Sequence, residues 1–301
     1  MSIFKKGFIG SPISAGLDNH SSQDLGQIEP PSTALGPWPE TNASVALTIW
    51  ALVSEEVGQK NKKPDAPCLK LFLSRGETQM GPSGWGLPLE RVFGGESLDE
   101  AAHRAARVTT GIEPNYIEQL SAYRPLGEGK EKIEVRCHYL VLVDLNRKSI
   151  EGLENEYGVW FSFGFEQGES KIELSGPEVK LVLPLIKQTV SQGRLKENRW
   201  KAADNADLPL DCCPAVVESL LRLQKAAEEE DLIFNLAPER FTLSFLQSSL
   251  ELILDRKLLA PAFRRKIAPK LKPTDRFLGL KQFRPSRLFE YNPLWRFKEN
   301  E

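Results

Sequence analysis

Residues 85–112 read WGLPLERVFGGESLDEAAHRAARVTTGI, and the part that begins at Ser97 is the clearest local signal in the chain. Ser97 stands three residues before Glu100. That is the spacing of a capping box, in which the hydroxyl accepts the backbone N–H three positions on and the carboxylate reaches back to the cap's own N–H. Leu98, Ala101, Ala102, Ala105 and Ala106 then recur at helical spacing. Gly111 supplies a residue able to take the left-handed conformation that stops a helix. The spacing predicts a helix over 98–110, on its simplest reading an Ala-rich core helix.

Strand-like runs flank this helix on both sides. Upstream lie Val45–Val53 and Cys68–Leu73, separated by a Lys/Pro-rich hairpin loop at Gln59–Pro67, and then the Gly- and Pro-rich turn region Gly76–Pro88. Downstream come Tyr116–Tyr123, Ile133–Leu145, Val159–Phe165, Lys171–Leu174 and Val179–Leu185. One early helix set among strands makes a mixed α and β domain, expected over 45–207. Residues 1–44 carry Ser11-Pro12, Pro30-Pro31 and Gly36-Pro37 with little apolar periodicity, and read as a flexible or loosely docked arm.

Around residue 205 the period switches to that of helices. Ala215–Lys225 and Phe241–Leu254 repeat apolar residues at helical spacing, and Pro261–Lys270 is a third, shorter helix with Pro261 suited to its first turn. Lys272–Arg276, a loop around Gly279 and Ser286–Tyr291 follow as strand, loop and strand. Three helices and a β-hairpin form the pattern of a winged helix-turn-helix, expected over 208–292 with a tail at 293–301.

The formal net charge is only −2, which for an ordinary chain argues against a nucleic-acid partner. The charge is unevenly divided. From Arg256 to Lys298 there are 13 basic residues against Asp275 and Glu290, a segment of +11, while residues 1–255 carry −11 and the last three −2. A basic domain joined to an acidic body is the footprint of a chain of which one part approaches phosphate. Cys68, Cys137, Cys212 and Cys213 form no CxxC pair and have no His at metal-ligand spacing, so neither a zinc site nor a disulfide framework is expected. The apolar stretch after Lys5 and Lys6 is too short for a signal peptide, and the longest apolar runs are strand-sized, far below the roughly 20 residues that span a bilayer. A reduced, cytoplasmic protein with no membrane role is expected.

The third helix of the basic segment has two unlike sides. At about 100° per residue, Phe263, Lys266, Ile267 and Lys270 share one, while Arg264, Arg265 and Ala268 point the other way. Phe263 and Ile267 are expected to pack inward. Arg264 and Arg265 are then free for the major groove, where Arg reads guanine bidentately, with Lys266 and Lys270 flanking toward phosphate. In the wing, Lys281, Arg284 and Arg287 fit backbone or minor-groove contacts.

The stretch 85–112 also resembles the Nudix box. Leu87-Pro88, Gly95-Glu96-Ser97, Arg104 and Gly111-Ile112 fall at matching positions. The resemblance implies an α/β/α sandwich. It also places the metal-binding glutamates of active family members at Ala105, Val108 and Thr109, where this chain has no carboxylate, and the paired glycines of the loop at Leu89-Glu90. A catalytically inactive domain without a metal or cofactor is therefore expected, with Glu96 and Arg104 as an ion pair fixing loop to helix. From Leu208 to Tyr291, with Pro238–Leu243, Phe263–Ile267 and Arg284–Tyr291, the chain resembles the winged-helix half of the Nudix-related transcriptional regulators (NrtR). That resemblance covers residues 45–292.

The resemblance implies a DNA-binding transcriptional regulator, most simply a homodimer on a palindromic double-stranded operator. Its small-molecule effector would be a nucleotide or sugar derivative, ADP-ribose or an NAD-related metabolite first. Arg75, Glu96, Arg104, Tyr123 and Arg124 are the candidate effector contacts. The chain departs from the family at Asp211-Cys212-Cys213-Pro214 and in the sensor loop Leu126–Lys130. Two other readings compete: a divergent Nudix pyrophosphohydrolase acting on a nucleoside diphosphate derivative, and a protein-interaction module whose wing contacts a partner chain.

Overall fold

The structure, a computed structural model, describes residues 41–55, 66–75, 83–125, 133–145, 157–278 and 285–300. The expected arm at 1–44 therefore lies almost wholly outside the described residues, as do Lys281, Arg284, the loop around Gly279 and the loop Leu126–Lys130.

Strand β1 (Thr41–Glu55) is the centre of the first domain. It pairs in parallel with β5 (Ile133–Val143) on one side; on the other it pairs antiparallel with β2 (Ala66–Ser74) and β3 (Leu89–Arg91), which meet different halves of it. β4 (Tyr116–Tyr123) lies outside β5. Beyond β2 follow β6 (Gly158–Glu166), β7 (Lys171–Ser175), β8 (Lys180–Gln192) and β9 (Leu195–Ala202), giving the order β4-β5-β1-β2-β6-β7-β8-β9.

Successive side chains of a strand point to opposite faces, and both faces of β1 are buried. Val45, Leu47, Ile49, Ala51 and Val53 join Cys137, Tyr139, Val141 and Val143 in one core layer, covered by α1 (Leu98–Thr110). Trp50 and Leu52 join Leu140 and Leu142 in the other, covered by α2 (Cys212–Glu229). This is the expected α/β/α sandwich. α1 has the expected limits: the Glu100 N–H donates to Ser97 Oγ at 3.2 Å, the Ser97 N–H to Glu100 Oε2 at 2.7 Å, and Gly111 stops the helix at φ 66°.

Two expectations need correction. β8 runs on to Gln192 and returns as β9 through the two-residue turn Gly193-Arg194, with Gly193 at φ 60°. That second strand was not foreseen, because its residues are mostly polar and exposed and give no apolar alternation. The first of the three expected winged-helix helices is α2, and it is seated on the sheet. Trp50 Nε1 donates to Ser219 Oγ at 3.2 Å, and Arg222 forks onto Glu118 of β4 at 2.9 and 3.0 Å. The apolar core continues through the 207/208 position without a break, from Leu185 and Ala202 to Leu208, Val216 and Leu246.

The winged helix-turn-helix is built from α3 (Leu243–Leu254), α4 (Ala260–Ile267) and the hairpin β10 (Leu271–Leu278) with β11 (Ser286–Tyr291). Phe241 adds a third strand position by exchanging two backbone hydrogen bonds with Phe289, at 3.0 and 2.8 Å. Thr242 caps α3 by accepting the Phe245 N–H at 3.1 Å. Phe263 and Ile267 are buried as expected, and such burial is worth roughly 1.5–3 kcal/mol each. No helix among the described residues is long and apolar enough to cross a membrane.

The turn between α3 and α4 is clamped by Glu251. Its carboxylate accepts the Leu258 N–H at 3.0 Å and the Gln247 amide at 3.0 Å, and Gln247 also donates to the Leu258 carbonyl at 3.1 Å. The Leu258 N–H first, then Gln247 and Lys257, hold the Glu251 carboxyl down at about 2. A depressed carboxylate stabilises fully where the unfolded chain is already ionised, above about 4.5, and loses that stabilisation as pH falls toward about 2. Glu251→Gln is expected to lower the stability of the folded chain at pH 7 by about 1 kcal/mol. In urea unfolding the gap to wild type should narrow as pH falls from about 5 toward 3; a gap independent of pH would refute the clamp.

Candidate functional site

The loop ahead of α1 is closed by its own side chains. Glu96 accepts the Phe93 N–H at 2.6 Å and two bonds from Arg104, at 3.1 Å from Nε and 2.7 Å from the terminal nitrogen. Arg104 also donates to the Arg91 carbonyl at 2.7 Å, and its guanidinium lies 4.1 Å above the Phe93 ring. The Arg104 hydrogen bonds, followed by the Phe93 N–H, hold the Glu96 carboxyl below its usual range. Glu96 and Arg104 thus form the expected loop-to-helix ion pair.

The face of α1 where the Nudix resemblance places metal-binding carboxylates holds Ala105, Val108 and Thr109. Ala105 and Thr109 are buried in the helix packing, and only Val108 is exposed. A hard divalent cation needs several oxygen ligands, and this set offers one hydroxyl and a glutamate already committed to Arg104. The residues present do not fit a magnesium site, and among the described residues no group of three or more His, Cys, Asp and Glu is arranged to hold a metal ion.

The other candidate effector contacts are spread over the opposite layer. Arg75 lies 4.4 Å from the ring centre of Trp85, whose ring packs edge-on against Phe161. Tyr123 sits on the α2 side of the sheet because the β4–β5 register slips between Gln119 and Ser121. The extra residue, Leu120, flips the alternation, so Ser121 and Tyr123 share a face with Glu118. Burial pushes the Tyr123 hydroxyl well above its ordinary range. Arg124 follows, exposed, at the end of β4. Glu96 and Arg104 are brought together; Arg75 and Tyr123 each have their own surroundings.

Sequence reasoning missed the polar row beneath α2. Arg136, 1% exposed, pairs with Asp211 and, at 3.1 Å, with Glu134, and lies 6.0 Å from the Tyr123 ring centre. His138, fully buried, bridges Thr48 at 3.0 Å and Glu218 at 3.1 Å, and Ser121 donates to Glu218 at 2.6 Å. The signal was Arg136 and His138 alternating with Cys137 and Tyr139 inside a buried strand. Burial pushes the Cys212 and Cys213 thiols up to about 12, so neither offers a thiolate nucleophile near neutral pH.

On α4, Arg264 and Arg265 are exposed opposite buried Phe263 and Ile267, as the periodicity requires. Lys270 corrects the expectation of a phosphate flank. Lys270 is buried, pairs with Asp231 at 2.6 Å and lies 4.9 Å from the Trp295 ring centre. Lys266 donates to the Glu228 carbonyl. Both stand on the Phe263 side of the helix, but only Lys270 is turned inward; Lys266 stays exposed. On the wing, Arg287 is exposed and packs 5.6 Å from the Phe277 ring centre, beside exposed Lys272 and Arg276.

Residues 233–291 match the family model of the NrtR DNA-binding winged helix domain. Comparison with curated protein sequences returns no match. Among solved structures, a MutT/nudix family protein from Enterococcus faecalis is 16% identical with a TM-score of 0.60, covering 85% of this chain and 89% of its own. Shewanella oneidensis NrtR in complex with a 27mer DNA is 19% identical with a TM-score of 0.56, covering 84% of this chain and 94% of its own. The same NrtR without DNA gives 20% identity and a TM-score of 0.54 at the same coverages. The chain therefore has a Nudix-like sandwich followed by a winged helix-turn-helix.

Arg104→Ala removes every bond that ties the loop at 93–96 to α1, while the Ser97–Glu100 box remains. Deuterium exchange at the Phe93 amide is expected to rise roughly tenfold, with the amides of α1 unchanged. Unaltered exchange at Phe93 would mean that the loop is held by something else.

Proposed function

We propose that this chain is a DNA-binding transcriptional regulator in which the winged helix grips an operator and the Nudix-like domain senses a small metabolite. The observation that carries the reading is the placement of Arg264 and Arg265, exposed on the second helix of the turn motif within the segment that matches the NrtR domain. The +11 of the basic segment supplies the phosphate attraction, and the acidic body stays clear of it. Arg287, Lys272 and Arg276 on the wing serve the DNA backbone. A homodimer on a palindromic operator, in the cytoplasm, accompanies this reading.

The Nudix-like domain acts as a sensor and not as a hydrolase, a reading supported by the carboxylate-free face of α1 and by the engagement of Glu96 with Arg104. The effector is a nucleotide or sugar derivative, with ADP-ribose and NAD-related compounds first, as the family resemblance implies. Because Glu96 and Arg104 satisfy each other, effector recognition falls to Arg75, Tyr123 and Arg124, with buried Arg136 behind Tyr123. Incubation with ADP-ribose and Mg²⁺ is expected to release no AMP; Mg²⁺-dependent turnover would favour the pyrophosphohydrolase instead.

DNA binding can be measured with duplexes enriched from a random library by the full chain. The double variant Arg264→Ala and Arg265→Ala should abolish specific binding and leave the thermal melt intact. Arg287→Ala should weaken all sequences alike and reduce the slope of log affinity against log salt by about 0.9. Equal affinity of the double variant for the enriched duplex would remove α4 from the recognition role.

A further inference from the structure

A cavity of about 370 Å³ opens directly behind α4, enclosed by the last turn of α2, the short helical turn Leu232–Asn235, α3 and α4. It lies apart from the sandwich and from both groups of candidate effector contacts. Its apolar lining includes Ile233, Leu250, Leu254 and Phe263. Spaces of about 300–1,000 Å³ lined by apolar side chains with a few polar groups are the usual form of a small-molecule site.

The polar groups at this cavity select the sign of the ligand's charge. Two lining carboxylates are already engaged, Glu228 with Arg256 at 2.5 Å and Glu230 with Arg222 at 3.0 and 2.9 Å. Of the lining cations, Arg256 thus has Glu228 and Lys270 has Asp231 at 2.6 Å. Lys266 is different: its ammonium donates to the Glu228 backbone carbonyl, and among the described residues it has no carboxylate partner. A carbonyl satisfies one of its three hydrogen-bond donors, and the side chain is exposed, so the ammonium at the cavity mouth is open to an incoming anion.

We propose that this cavity is a ligand site for a small amphipathic carboxylate, whose apolar body fills the space among Leu250, Leu254 and Phe263 and whose carboxylate pairs with Lys266. A medium-chain or compact aromatic acid has the required chemistry. Lys266, Phe263 and Ile267 all belong to α4, so the ligand would brace the helix that carries Arg264 and Arg265. The site itself does not depend on the regulatory reading and stands whether or not the chain binds DNA.

The test is calorimetric titration of the full chain with decanoate and, separately, with decanol. Decanoate is expected to bind saturably at one site, at least tenfold more tightly than decanol. Lys266→Met should abolish the preference for the acid while retaining the apolar binding. Leu254→Trp and Ala262→Trp, which place an indole at the lining from two different helices, should each lower decanoate affinity at least tenfold without a lowered melting temperature in at least one of them. Absence of saturable binding by the wild type would overturn the proposal. So would equal affinity for acid and alcohol, or undiminished binding in a folded Trp variant.

Discussion

Helix α2 is held by polar side chains that the sheet buries and only partly satisfies. Arg136 and His138 point from β5 into the layer beneath α2, where a cation such as Arg136 costs several kcal/mol without a partner and a buried ring nitrogen must be hydrogen-bonded. Glu134 and Thr48 of the sheet give each one partner, and α2 with its approach supplies the second: Asp211 for Arg136 and Glu218 for His138. Trp50 and Ser219 add a bond across the same interface. These pairings admit one seating of the helix, because a shift of one residue would leave the cation of Arg136 without Asp211 and place apolar Val217 against His138.

The far end of α2 passes that constraint on to the winged helix. Arg222 links Glu118 of the sheet to Glu230 at the helix end, and the next residue, Asp231, gathers four donors. Lys270 closes α4, Tyr291 closes β11, and Trp295 and Arg296 bring in the short C-terminal helix, all at 2.6–3.1 Å from the Asp231 carboxylate. Burial alone would raise that carboxyl, yet Lys270 and the Trp295 N–H hold it below its usual range, so it stays charged. The two halves share one apolar core, and the polar pairs fix how one half meets the other. Motion of α2 would therefore reach α4 through bonded groups.

What was legible in the sequence was what local rules determine. The capping box and Gly111 give the limits of α1, and strand-like apolar runs give β1, β2 and β4 through β7, but not the short β3. The rotation of α4 follows from Phe263 and Ile267 alone. Features that depend on distant partners were not legible. Nothing near Leu120 announces a bulge, and only the pairing with β5 places Tyr123 on the α2 side. Helical spacing in 215–225 marks a helix but not which surface it covers, so α2 was grouped with α3 and α4 when its polar row belongs to the sheet. Lys266 and Lys270 count as basic residues in any charge sum, yet Lys270 spends its charge inside the protein on an aspartate 39 positions away.

The hairpin β8–β9 bears on how the molecule keeps to itself in a crowded solution. Among the described residues β9 ends the sheet, so one row of its backbone groups has no described strand beside it, an open template for another chain. Exposed Leu195 would add to that hazard. Lys196, Arg199 and Lys201 lie along the same strand, with Lys187 across from it, on a body that is otherwise acidic. Two copies approaching edge to edge would bring like charges into contact before any ladder could form. These cations thus act as a guard against templated aggregation.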